Sequence, residues 1–107
     1  MARCGPGFVV LYRWRLHPGT EETFIHAWSR ISELMFKERG SLGSRLHRGS
    51  DGVWYSYAQW PSAEARDHAL AGPPADVQSG DQMAAAVAEK LPEIVLEAVA
   101  DYLVCAK

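Results

Sequence analysis

The stretch VWYSYAQWPSAEARDHAL (residues 53–70) decides the fold. Residues 53–60 are dense in aromatic and β-favouring types and read as a strand. Successive strand side chains alternate, so Val53, Tyr55, Tyr57 and Gln59 share one face and Trp54, Ser56, Ala58 and Trp60 the other. Pro61 stops the run. Ser62 then suits the N-cap of a helix reaching about residue 70, and Glu64 sits in the first turn, where the helix dipole favours negative charge.

Working toward the N-terminus, GSDG (residues 49–52) reads as a hairpin turn, preceded by a looser alternation over residues 42–48. Residues 21–39 predict a helix. Phe24, Ala27, Trp28, Ile31, Leu34 and Met35 form an apolar stripe, while Glu22, His26, Arg30, Glu33 and Lys37 take the opposite face. Thr20 is its expected N-cap and Gly40 its C′ residue. Before it, residues 8–17 alternate: Phe8, Val10, Tyr12, Trp14 and Leu16 on one face, Val9, Leu11, Arg13 and Arg15 on the other.

Toward the C-terminus, AGPPADVQSGD (residues 71–81) reads as a loop. Asp81 is expected to cap a helical piece, DQMAAAVAEKL, that Pro92 ends. Residues 94–106 read as the last strand, with Ile94, Leu96, Ala98, Ala100, Tyr102 and Val104 on one face and Glu97 and Asp101 among those on the other.

The order β-α-β-β-α-(α)-β predicts an α+β chain with one ferredoxin-like split βαβ domain over residues 1–107: a four-stranded antiparallel sheet with helices on one face. The uncovered face is expected to carry Val9 and Leu11 beside Arg13 and Arg15, with Val95, Val99 and Leu103 beside Glu97 and Asp101. Aliphatic residues mixed with opposite charges suit burial against a second copy, which predicts a homodimer through the sheet face.

Composition narrows the function classes. The chain has 107 residues, 48% hydrophobic and 22% charged, with a formal net charge of −2. No basic run or basic helix face supports nucleic-acid binding. No apolar run is long enough for a transmembrane helix. Arg13 and Arg15 interrupt the first apolar stretch, so no signal peptide is expected and the cytoplasm is the expected location. Cys4 and Cys105 read as two free thiols. The four histidines, His17, His26, His47 and His68, fall on separate elements without ligand spacing, so no metal site is expected.

VVLYRWRLHPGTEETFIHAW, followed by ERGSLGSRLHRGSDGVWYSYAQWPSAEARDHAL, resembles the antibiotic-biosynthesis-monooxygenase type of dimeric α/β barrel. The resemblance covers roughly residues 8–73 in motif, and the final strand agrees in pattern. It implies a pocket between sheet and helices in each subunit. It also implies activities that range from cofactor-independent quinone-forming oxygenation to haem degradation. The haem-degrading branch has an asparagine where this chain has Tyr12 and a tryptophan where it has Ala69, and the chain contains no asparagine. That chemistry is therefore not expected. Other members carry a histidine at the position of Ala69 and a Pro-His pair where this chain has Pro73-Pro74. His68 stands one residue early, about 100° around a helix.

Tyr12 and His68 are the candidate catalytic groups, His68 because imidazole titrates near neutrality. The bland reading of His68 is an exposed helix residue paired weakly with Glu64. Trp14, Trp28 and Trp54 are candidates for holding a small aromatic ligand, the bland reading being core packing. Two functions are compatible with the resemblance. One is a monooxygenase acting without metal or flavin on a phenol- or quinone-type substrate. The other is a non-catalytic small-molecule-binding or stress-associated protein of the same fold.

Overall fold

The computed structural model describes residues 7–103. The readings of Cys4 and Cys105 and the end of the expected last strand lie outside the described residues. The elements run β1 (Phe8–Leu16), α1 (Glu21–Glu38), β2 (Gly43–Arg48), β3 (Trp54–Trp60), α2 (Ala63–Ala71), α3 (Val77–Ala86) and β4 (Val87–Leu96). They form an antiparallel sheet of order β2-β3-β1-β4. The ferredoxin-like α+β expectation stands.

Alternation builds the core. Register pairs Tyr12 with Ser56, Trp14 with Trp54 and Phe8 with Trp60, so the inward faces of β1 and β3 coincide. Phe24 of α1 is fully buried between Trp14 and Trp54, edge to face with both, at centroid distances of 5.2 and 5.9 Å. Ala86 closes this cluster from the end of α3. The hairpin after β2 is the one expected: Gly49 N–H donates to the Val53 carbonyl, and Asp51 accepts from Val53 N–H and from the Tyr55 hydroxyl. Ser62 caps α2, accepting from Ala65 N–H at 3.1 Å. Thr20 precedes α1 without a side-chain cap bond; its hydroxyl donates instead to the His17 carbonyl.

The C-terminal third differs from expectation. Asp76, not Asp81, caps α3, its carboxylate accepting from Ser79 N–H at 3.1 Å. The AVAEKL segment, expected to finish a helix, is mostly strand: β4 begins at Val87 and runs through Pro92 to Leu96. The reason lies in β1, a central strand that needs hydrogen-bond partners on both sides. Its Trp14, Arg15 and Leu16 pair with Lys90, Glu89 and Val87. Pro92 is tolerated because β4 is an edge strand and Pro92 sits at a register shift, where a ladder N–H is not required.

The shift also exchanges the expected faces. Ile94 and Leu96 pair with Leu11 and Val9 and so join the open face, while Val95 pairs with Val10 on the helix side. Residues 97–103 are not strand; Val99, Tyr102 and Leu103 are exposed there. Among the described residues no helix is long and apolar enough to cross a membrane.

Candidate functional site

The inward faces of β1, β2 and β3 and the facing sides of the helices leave a cavity of about 230 Å³ between sheet and helices. Tyr12 and Trp14 enter it from β1, Ser56 and Trp60 from β3, Trp28 and Met35 from α1. Alternation places the strand residues, and the apolar stripe of α1 places Trp28 and Met35. The lining is aromatic and aliphatic with a few hydroxyl tips. It includes one amine, Lys90, and no carboxylate or imidazole.

Two polar groups set its chemistry. Trp28 Nε1 donates to the Ser56 hydroxyl at 3.1 Å and is satisfied. Trp60 Nε1 is buried without a well-formed hydrogen bond, and its N–H bears on the Tyr12 oxygen. A buried donor short of a good acceptor forfeits part of its solvation. The Tyr12 hydroxyl accepts from Arg66 Nη1 at 3.3 Å, which leaves its own proton available. Burial pushes the Tyr12 phenol above its ordinary value of 10.0, and Glu93 adds to the rise, while Arg66 and the Trp60 N–H favour the anion. Tyr12 is therefore a neutral phenol at physiological pH.

Arg66 stands behind Tyr12. Its side chain is only 13% exposed and reaches Glu93 at 2.8 Å and Asp67 at 2.8 Å, with the guanidinium over the Phe8 ring. Burial opposes its charge, but the bonds to Tyr12, Glu93 and Asp67 outweigh that and hold it as a cation.

The structure brings together Tyr12, Trp14 and Trp28 from the sequence-predicted set. Trp54 lies outside the cavity, packed on Phe24 with the Arg48 guanidinium 4.7 Å above its ring. His68 is exposed on α2, whereas its neighbour Ala69 is buried at 4% exposure. His68 is not among the residues that line the cavity.

Trp60, Ser56, Arg66 and Glu93 were not among the expected site residues. The first two share the strand face of Trp54, a signal present in the alternation. Arg66 stands one helical turn before the inward-facing Ala69. Glu93 had no sequence signal, because it depends on the register of β4. Among the described residues no group of three or more His, Cys, Asp or Glu could hold a metal ion.

A family model, Antibiotic biosynthesis monooxygenase, matches residues 7–77. No curated protein matches the chain. Solved structures do. SnoaB, a cofactor-independent oxygenase from Streptomyces nogalater, is 17% identical, with 92% of this chain and 98% of that one covered and a TM-score of 0.74. Rv0793 from Mycobacterium tuberculosis is 15% identical, covering 90% and 98%, with a TM-score of 0.71. A conserved protein from Methanosarcina mazei is 9% identical, covering 87% and 93%, with a TM-score of 0.71. At such identities the likeness is one of fold.

Proposed function

Because the chain belongs to the antibiotic biosynthesis monooxygenase family, we propose that it is a cofactor-independent monooxygenase whose cavity holds a small planar phenol- or quinone-type substrate. One observation carries this reading: an aromatic cavity presents the Tyr12 hydroxyl, whose oxygen accepts from Arg66 and whose own proton has no protein acceptor. A ligand oxygen, carbonyl or phenolate, would accept that proton, and its rings fit the Trp14, Trp28 and Met35 walls.

The chemistry asked of the protein is modest. An electron-rich substrate anion can reduce dioxygen itself, so the site must favour that anion and exclude water. For an anthrone-type methylene the balance is CH2 plus O2 giving C=O plus H2O, one oxygen atom entering the substrate and the other leaving as water. Tyr12 would stabilise the negative oxygen by hydrogen bonding, keeping its proton because its phenol is raised. The positive charge of Lys90 at the wall favours the anionic form further.

Oxygen uptake with anthrone-type phenols tests the reading. Turnover that Tyr12→Phe lowers by about a hundredfold or more supports it, the loss expected when one oxyanion donor is removed. No uptake with any such phenol would refute it. The cavity's want of a carboxylate or imidazole favours a second reading, a non-catalytic binder of the same ligands. Quenching of tryptophan fluorescence by the phenol without oxygen uptake would mark that outcome.

A homodimer through the sheet face is supported at Ile94, 39% exposed beside Leu11, whereas Val9, expected to be uncovered, is already buried at 2%, with Leu96 and residues 97–103 around it. Light scattering that returns a monomer at micromolar concentration would count against this.

A further inference from the structure

Arg66 is not among the residues lining the cavity, yet it is nearly buried and its guanidinium has four partners: Tyr12 and Glu93 at Nη1, Asp67 at Nε, Phe8 beneath. An ordinary surface ion pair contributes little and does not bring a third group to a half-buried phenol. The placement of Glu93 explains how this is built. Leu11 pairs with Ile94 and Arg13 with Leu91, so two residues of β4, Pro92 and Glu93, stand opposite the single residue Tyr12. This is a bulge, a device that re-aims a side chain. Arg13 pins it by donating two hydrogen bonds to the Pro92 carbonyl, at 3.1 and 2.9 Å. With the bulge fixed, Glu93 meets Arg66 on the helix side of the sheet.

We infer that Arg66 is a positioning residue for Tyr12: held by the bulge carboxylate Glu93, it occupies the acceptor side of the Tyr12 oxygen and so directs the Tyr12 proton into the cavity. A phenol has one proton to donate, and an N–H lodged on its oxygen fixes where that proton is not. Without Arg66 the hydroxyl rotor is free and its own proton can turn toward Glu93, which would take it out of the cavity. With Arg66 in place, Tyr12 is a preorganised donor to a ligand oxygen. The assignment rests on the function proposed above for its consequence in turnover, but not for its consequence on Tyr12 itself.

The experiment therefore has two arms. In the first, tyrosinate absorbance is titrated with alkali in the native protein and in Arg66→Met, each compared with its Tyr12→Phe counterpart so that Tyr12 alone is read. Arg66 favours the Tyr12 anion, so Tyr12 is expected to ionise at higher pH in Arg66→Met. Unchanged far-ultraviolet circular dichroism shows that the fold persists. Arg66→Lys, which keeps the stem and a charge but not the fork, is expected to shift Tyr12 by less. It decides the matter if Arg66→Met does not fold. A Tyr12 titration that matches the native protein in the folded variants overturns the inference.

In the second arm, oxygen uptake with an anthrone-type phenol is expected to show kcat lowered by about tenfold in Arg66→Met, with KM changed by less than about twofold, since the interaction is made through Tyr12. A kcat within about twofold of native, or a loss confined to KM, overturns it. If the native protein consumes no oxygen, the oxygenase reading fails while the first arm still decides the role of Arg66.

Discussion

The guanidinium of Arg13 grips the carbonyl of Pro92 with hydrogen bonds of 3.1 and 2.9 Å, joining residues 79 apart in sequence. This pair holds the edge strand at its one proline. Arg13→Ala removes a charge-assisted, partly exposed pair of bonds and should cost about 1–2 kcal/mol. Urea denaturation followed by tryptophan fluorescence measures it. A midpoint unchanged from native would show that β4 holds its bulge without Arg13.

Phe24 is the point at which α1 is fastened to the sheet. It is fully buried, with Trp14 and Trp54 on either side. Phe24→Ala removes a ring from a packed site and is expected to cost about 3–5 kcal/mol. Since small domains have only about 5–15 kcal/mol in total, the variant should unfold at a much lower urea concentration. A loss under about 1 kcal/mol would mean that the tryptophans close over the gap.

Acid stability should depend on two carboxylates, the exposed Asp51 and the half-buried Asp76. Asp76 is held below its ordinary 3.8 by hydrogen bonds from Ser79, and Asp51 likewise by Tyr55 and the Val53 N–H. A folded-state value below the unfolded one gives stability that is complete above pH 3.8 and lost as pH falls through the folded value. Asp76→Asn should therefore flatten the decline of melting temperature below that pH while leaving the carboxylate-free part of the curve unchanged. A native and a variant curve that run parallel through the acid range would show that Ser79 does not favour the charged form.

Much of the site was legible from period alone. Tyr12 and Trp14, and with them Ser56 and Trp60, follow from alternation in two strands, and Trp28 follows from the stripe on α1. Trp54 has the same strand signal, yet it lies under Phe24, because depth along the sheet and not face separates cavity from core. The C-terminal third was misread where local preference and tertiary demand disagree. Ala-rich residues 84–91 favour a helix in isolation, but the open side of β1 recruits most of them as strand. Glu93, and through it Arg66, became visible only once that register was known.

Trp60 lines the cavity by its ring, while its indole N–H is buried and bears on the Tyr12 oxygen. Trp60→Phe keeps the ring character and deletes the donor. Because that N–H favours the Tyr12 anion, Tyr12 should ionise at higher pH in Trp60→Phe, read as tyrosinate absorbance against the Tyr12→Phe background. A Tyr12 titration equal to native would show that the indole does not act on the phenol.

His68 and Ala69 test how strictly the helix register governs the site. His68 is exposed, and Ala69 is buried with its carbonyl accepting from Arg39 at 2.9 Å. His68→Ala should leave stability within about 0.5 kcal/mol of native, as for a surface substitution, and oxygen uptake unchanged. Ala69→His forces an imidazole into a space that now holds one methyl group. It should cost about 1–3 kcal/mol through overpacking, with more lost if the ring finds no hydrogen-bond partner. Guanidinium denaturation of both variants measures the difference. A loss of turnover in His68→Ala at native stability would mean that α2 turns by about one residue when ligand binds, bringing His68 to the face Ala69 now occupies.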